Sequence, residues 1–176
     1  MGKLSLVLGQ LSADLQSIWN PVGLHLPELL QQGPKLSNGE KYDNLPWLML
    51  DFPRKLTGNE GFFALRTFFW WGNYFSIQLI LSGRFQIILH QKTLQNPLNL
   101  PKTHNGWHAG NTVDAWNSRI PQQGLFLVDT DSLLIPAPSA NREVFKLCTS
   151  FELSQLSDLV NICMVLSENL VMRLKN

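Results

Sequence analysis

The stretch from Phe62 to His90 constrains the fold of this chain more than any other segment. It is rich in Phe, Trp and Ile, and Arg66 and Arg84 are its only charged residues apart from the histidine at its end. A segment this apolar is stable in water only if it is buried in a core or covered by a contact surface. The segment therefore predicts where the core or a contact surface lies, but it does not identify a reaction.

The composition excludes several classes of protein. Apolar residues make up 44% of the 176 residues and charged residues 15%, below the roughly 25% charged residues of an average soluble domain. Lys and Arg number 14 against 13 Asp and Glu, so no summed positive field is available to bind a polyanion. We expect one domain over residues 1–176, no nucleic-acid partner and no cofactor.

The chain also shows no targeting or membrane signal. The short apolar run after Lys3 lacks a small-x-small cleavage site, and no apolar stretch reaches about 18 residues. The two cysteines, Cys148 and Cys163, are too few for a disulfide framework. These features predict a cytoplasmic protein that does not bind membranes.

Both ends of the chain carry helical patterns. Leucines recur at steps of three and four between residues 4 and 19, and a second stripe runs from an N-cap at Ser154 to Leu174. Strands are predicted at 47–52, 124–128 and 144–151, a short helix at 24–32 and a loop at 32–39. The sequence therefore predicts an α+β fold, a single domain with a mostly antiparallel sheet covered by amphipathic N- and C-terminal helices. Asp51, inside an otherwise apolar strand, requires a buried partner.

The aromatic stretch itself has two interpretations. Thr57 and Glu60 have the spacing of a capping box, which favours a helix that ends at Gly72. The alternating apolar residues equally fit a strand. We expect helix at 60–71, followed by a hairpin over 73–90 in which the three-residue loop 82–84 pairs Leu81 with Phe85.

Candidate ligand-binding residues lie on both sides of this hairpin. On the predicted helix Arg66 precedes Trp70 by four residues, so its guanidinium can cover the indole or anchor an anion together with Trp71 and Tyr74. The long segment 91–123 contains three prolines and Trp107, and long irregular segments are often functional.

Two histidines in this segment are candidate metal ligands. His104 and His108 stand four residues apart, which on a helix would direct both imidazoles to one metal, with His90 or Asp114 as a third ligand. The Asn-Gly pair between them favours a loop, so histidines packed on Trp107 are the simpler interpretation.

The apolar run from Leu125 is followed by Asp129 and Asp131 in an Asp-x-Asp pattern. These ten residues resemble the opening of haloacid-dehalogenase phosphatases, and the resemblance implies that Asp129 attacks phosphorus and Asp131 handles the leaving-group proton. The alternative is a turn at the end of a strand, in which Asp and Thr side chains cap backbone N–H groups.

Two functional hypotheses follow. The first is a non-catalytic protein-interaction or oligomerisation module, self-associating through an aromatic contact surface, since low charge and surplus aromatic residues suit the core of an interface. The second is a small-ligand-binding or hydrolytic domain with a pocket near residues 91–131, using Arg66, His90, Asp129 or Asp131. The sequence leaves open whether the protein is an enzyme.

Overall fold

The computed structural model describes residues 2–139 and 143–175, which form three α-helices and nine strands. The helices are α1 (Gly2–Trp19), α2 (Gly83–Gln95) and α3 (Leu156–Leu174). The strands are β1 (Lys35–Tyr42), β2 (Leu45–Lys55), β3 (Phe63–Trp70), β4 (Tyr74–Leu81), β5 (Leu98–Asn99), β6 (Trp107–Thr112), β7 (Phe126–Val128), β8 (Ser132–Leu133) and β9 (Val144–Phe151). Two short 3₁₀ helices, Asn20–Leu24 and Pro27–Leu29, connect α1 to β1.

Seven of these strands form one antiparallel sheet in the order β1-β2-β3-β4-β9-β6-β7, and β5 pairs with β8 in a small second sheet. Strands β1 to β4 follow one another as a meander. Strand β9 then returns to pair with β4 at the centre of the sheet. The predicted α+β class with a mostly antiparallel sheet is confirmed.

Helices α1 and α3 pack against each other and cover one face of the sheet. Leu8, Leu11 and Leu15 of α1 are fully buried there, as the three-four spacing predicts. The start of α3 differs by one residue from expectation, because its N-cap is Gln155 rather than Ser154. The predicted helices at the two ends of the sequence, covering the sheet, are confirmed.

The helix expected at 60–71 is wrong. Residues 63–70 form β3, which pairs with β2 on one side and β4 on the other, and Gly72, with a φ of +72°, lies in the turn between β3 and β4. A central strand is buried on both faces, and this explains why nearly every side chain of β3 is apolar or buried. Thr57 and Glu60 lie in an irregular turn and cap no helix.

The hairpin expected over 73–90 is wrong in its second half. Strand β4 ends at Leu81, which pairs with Phe63 and Phe145 instead of Phe85. The chain turns at Gly83, where a Cβ would lie 2.5 Å from the carbonyl oxygen of Glu60. Helix α2 begins there, and its Phe85 and Leu89, four residues apart, are buried against the core.

Two further segments differ from the sequence predictions. The loop expected at 32–39 overlaps β1, whose exposed polar residues reflect its position at the edge of the sheet. The segment 91–123, expected to be irregular, contains the end of α2 together with β5 and β6. The strand expected at 47–52 is part of the longer β2, and the one expected at 144–151 matches β9.

None of the helices in the described residues combines the length and the apolar character needed to cross a lipid bilayer.

Candidate interaction surface and polar sites

The two faces of the sheet have different chemistry. The face toward α1 and α3 is apolar, with Phe63, Leu79 and Leu147 in one continuous core. The opposite face, which we call the polar face, carries a row of side chains that lie next to one another across five strands. Their register aligns Asp51, Arg66, Gln78, Cys148 and His108 in that order.

Arg66 and Asp51 form a buried ion pair at one end of this row. The Arg66 Nε donates to Asp51 Oδ1 at 2.8 Å and its Nη2 donates to Oδ2 at 2.9 Å, with the two residues 6% and 1% exposed. This two-point geometry is the strongest that a guanidinium and a carboxylate form. Arg66 thus supplies the partner that Asp51 requires. The expected stacking of Arg66 on Trp70 along one helix is wrong, since its guanidinium lies 5.2 Å from the ring centre of Trp116.

Residues 113–123, which we call the cover segment, are hydrogen-bonded to the polar face through two half-buried tyrosine hydroxyls. The Tyr74 hydroxyl donates to the Ser118 carbonyl at 3.0 Å and accepts from the Ile120 N–H at 2.9 Å. The Tyr42 hydroxyl accepts from the Ser118 N–H at 2.9 Å. Burial raises the pKa of Tyr74 to about 12, so this hydroxyl stays protonated and remains a donor at physiological pH.

Lys146 connects β9 to the cover segment. Its side chain is fully buried and its ammonium donates to the carbonyl of Asn117 and, at 3.1 Å, to Oε1 of Gln122. Burial lowers the pKa of Lys146 to about 8, because the low-dielectric surroundings disfavour the charged form. The neighbouring Cys148 has its pKa raised to about 11 by burial, so it is a neutral thiol and a poor nucleophile.

Trp70 and Trp71, predicted together, point to different surroundings. Trp70 lies on the polar face, packs edge-on against Tyr42 and Tyr74, and donates from Nε1 to the Tyr42 carbonyl at 3.1 Å. Trp71 follows the end of β3 and is 44% exposed. Its ring packs edge-on against Phe69 at 5.5 Å.

Trp71 lines an apolar hollow of about 630 Å³, which we call the Trp71 groove. Leu4 and Val7 of α1 also line it, as do Leu153 and Leu156 near the start of α3. A second hollow of about 630 Å³ begins at Val7 and Leu156 and continues along α3. Among the aromatic residues of the stretch 62–75, Trp71 has the most exposed ring.

Three other predicted ligand-binding residues converge. Trp107, Asp129 and Asp131 line one hollow of about 370 Å³, together with Lys102. The Trp107 Nε1 donates to the Pro101 carbonyl at 2.8 Å, which fixes the buried ring. Both aspartates are exposed and follow β7, an edge strand of an antiparallel sheet. The doubly wound parallel sheet that the phosphatase resemblance requires is not the fold of this chain.

The predicted histidines do not meet. His104 lies in a turn beside Asp158, on the side of the sheet that bears α3, whereas His108 lies on the polar face opposite Cys148. His90 is on α2, with its Nδ1 2.8 Å from the carbonyl oxygen of Ile135. Within residues 2–139 and 143–175, no three His, Cys, Asp or Glu side chains are grouped closely enough to hold a metal ion.

Comparison of the chain with known protein families, with curated proteins and with solved structures yields no match.

The strand expected at 124–128 is observed as β7, Phe126–Val128. Sequence reasoning missed the polar face and the position of β7 at the edge of the sheet. Strand parity carries part of the signal, because Lys146 and Cys148 alternate with the apolar Phe145 and Leu147 and so belong to the opposite face. The cover segment has no local pattern that indicates which strands it crosses. Its contacts are with Tyr42, Tyr74 and Lys146, more than 20 residues away.

Proposed function

We propose that this protein is a non-catalytic interaction module and that two copies associate through the Trp71 groove. The observation that carries this proposal is an exposed tryptophan set in an apolar hollow of about 630 Å³. Exposed apolar surfaces of this kind are characteristic of binding sites, and tryptophan is among the residues that contribute most to interface affinity.

The charges at the rims of the groove favour a second copy of the same chain as the occupant. Lys3 lines the groove on the α1 side and is exposed. Glu152 is exposed and directly precedes Leu153, another residue that lines the groove. A two-fold axis through the groove brings Lys3 of one copy toward Glu152 of the other, twice per dimer, because an isologous interface repeats each contact. Opposite charges at the rim then fix the orientation of the two copies.

The two cysteines support a non-catalytic role in the cytoplasm. Burial raises the pKa of both Cys148 and Cys163 to about 11, so neither thiol is activated. Both cysteines are unpaired in the fold, which suits a reducing compartment.

The hollow that contains Trp107, Asp129 and Asp131 favours the second candidate, a small-ligand-binding or hydrolytic domain. It brings together three of the predicted residues within 370 Å³. Its two carboxylates are open to solvent, and this weakens any general acid or base chemistry. Native mass spectrometry of the purified protein separates the candidates, because a monomer with a retained small molecule favours the ligand-binding domain.

Sedimentation at micromolar concentration tests self-association. We expect the wild-type chain to have twice the 20.0 kDa mass of one copy and Trp71→Ser to sediment as a monomer. The matched control is Leu24→Ser, which removes an apolar side chain that is 86% exposed outside the groove and leaves the dimer intact. A wild-type monomer, or a dimer that Trp71→Ser does not weaken, contradicts the proposal.

A charge swap tests the identity of the occupant. Lys3→Glu or Glu152→Lys alone places like charges across the two-fold interface, so each weakens the dimer. The double variant restores opposite charges and regains the wild-type dissociation constant, since each copy contributes both residues. Failure of the double variant to recover rules out this arrangement of two copies.

A further inference from the structure

We propose that the free edge of β7 binds an extended peptide of a partner protein, with an uncharged centre flanked by basic side chains. This site is separate from the Trp71 groove and does not depend on self-association. Strand addition to an open sheet edge is a common mode of peptide recognition, in which backbone hydrogen bonds supply affinity and neighbouring hollows supply specificity.

Strand β7 lies at an edge of the sheet. It is the last strand of the seven-stranded order, and within residues 2–139 and 143–175 it pairs with β6 alone. Phe126 and Leu127, which point to opposite faces, are 74% and 62% exposed. The strand Phe126–Val128 carries no charge. Proteins usually blunt such an edge because its unpaired N–H and C=O groups accept another strand.

The opposite edge of the same sheet is protected against pairing with another strand. Strand β1 carries Lys35, Glu40 and Lys41, and its pairing with β2 is interrupted by an irregularity between Gly39 and Tyr42. Charged side chains and bulges are the usual protection of an edge strand. Strand β7 has neither device, and its length of three residues limits the segment that can pair with it.

An acidic hollow lies at each end of β7. The hollow at Gly124 has a volume of about 470 Å³ and contains Asp114 and Glu143. The hollow at Val128 has a volume of about 370 Å³ and contains Asp129 and Asp131. Each also has one basic residue, but Arg119 in the first is already paired with Asp43, and Lys102 in the second is outnumbered by two aspartates. Both ends therefore attract positive charge.

The two hollows flank β7 along the chain. The first lies at the turn of Gln123 and Gly124, where Gly124 has a φ of +85°, and the second begins at Val128. An extended peptide paired with Phe126–Val128 spans about 10 Å at roughly 3.3 Å per residue, so one hollow lies beyond each of its ends. A peptide with one lysine or arginine on each side of three uncharged residues therefore directs a basic side chain toward each hollow.

The same charges disfavour a second copy of β7 as the occupant. Antiparallel pairing of two β7 strands about Phe126 would set Asp129 of one copy opposite Gln123 of the other. Asp131 would then lie opposite Pro121, which lines the hollow of Asp114 and Glu143. Like charges would meet twice in such a dimer, which destabilises it.

Fluorescence anisotropy with a labelled, end-capped peptide Lys-Val-Thr-Val-Lys tests the proposal on the full chain. We expect saturable binding that the acidic peptide Glu-Val-Thr-Val-Glu does not show. Methylation of the central backbone nitrogens of the basic peptide abolishes binding, because it removes the hydrogen bonds of an added strand. Equal binding of the methylated peptide, or no binding of the basic peptide at millimolar concentration, overturns the proposal.

Variants of the protein locate the site. Asp129→Asn with Asp131→Asn weakens binding by about threefold to tenfold, as expected for the loss of exposed charge pairs. Phe126→Lys abolishes binding, while Glu40→Gln on the β1 edge is the matched control and changes nothing. Thermal unfolding confirms that each variant is folded. A wild-type dimer that Phe126→Lys dissociates would instead assign the edge to self-pairing and reject the foreign peptide.

Discussion

The two faces of the central sheet are covered by different means. The face toward α1 and α3 is closed by apolar side chains of these helices and of α2, with Phe63 packed edge-on between Trp19 of α1 and Phe85 of α2. The polar face is closed by the cover segment, residues 113–123, through hydrogen bonds to Tyr42, Tyr74 and Lys146. Apolar burial is non-directional and tolerates small shifts, whereas buried polar groups are stable only with each partner in place.

The largest effect is expected where one partner of the buried ion pair is removed. Arg66→Met leaves Asp51 charged and unpaired inside the protein, at a cost of about 3–5 kcal/mol of unfolding free energy. The double variant Asp51→Leu, Arg66→Met removes both charges and regains most of that loss. Urea denaturation of the two variants measures the difference. If the double variant is no more stable than the single one, the polar face does not depend on charge pairing.

The apolar face responds differently to a comparable deletion. Leu79→Ala, at a fully buried position of β4, leaves a cavity and costs about 2–5 kcal/mol. No second substitution restores the lost unfolding free energy as it does at the ion pair, because no charge is left unpaired. The volume-conserving Leu79→Met costs less than about 1.5 kcal/mol. The same denaturation experiment compares the two faces directly. A loss below about 1 kcal/mol for Leu79→Ala would show that this face relaxes around the cavity.

A smaller effect is expected at the cover segment. Trp116→Ala removes the ring over Arg66 and its edge contact with Phe62 at 5.9 Å. The ring is 43% exposed, so the expected cost is about 1–2 kcal/mol from the lost cation–π contact and packing. Trp116→Phe retains part of both. Hydrogen exchange should accelerate at residues 113–123 and not in α1 or α3, and faster exchange in α1 would contradict separate covering of the two faces.

The smallest effect is a pH dependence at Lys146. Its pKa is lowered from 10.5 to about 8 by burial, so the unfolded chain binds more protons than the folded chain above pH 8, and this residue adds stability as the pH rises. Cys148 and Cys163, with pKa values raised to about 11, act in the opposite direction above about pH 9. We therefore expect the stability difference between wild type and Lys146→Met to shift by about 1 kcal/mol in favour of wild type from pH 7.5 to 9. A constant difference over that range contradicts a buried ammonium.

The sequence predicted the apolar face, which packs against α1 and α3, far better than the polar face. Helical spacing of leucines and strand alternation are local signals, so α1, α3, β2 and β9 are readable from the chain. Residues 60–71 were predicted wrongly because a capping-box spacing outweighed the parity of β3. A central strand has no solvent-exposed face whose polar residues would mark the period of two. Helix α2 was missed because Phe85 and Leu89 also fit strand alternation.

The candidate sites were predictable only in part. Trp107, Asp129 and Asp131 converge as a pocket near 91–131 requires, and Asp51 has the buried partner that its position demands. The identity of that partner depends on the register between β2 and β3, which spacing alone did not provide. The open edge at β7 is a property of strand order, and strand order is decided by contacts between residues far apart in the sequence.

The place of β9 in the sheet has a consequence for how the protein is made. This strand is the last of the sheet in chain order, yet it lies between β4 and β6 and joins the meander β1 to β4 to the remaining strands. While a ribosome is still synthesising residues before 144, β4 has one side unpaired and its Phe75, Ile77 and Leu79 lack α3 above them. Pairings of such long sequence separation form slowly, and exposed strand edges aggregate. We expect nascent chains of this protein to need a chaperone until β9 has left the ribosome.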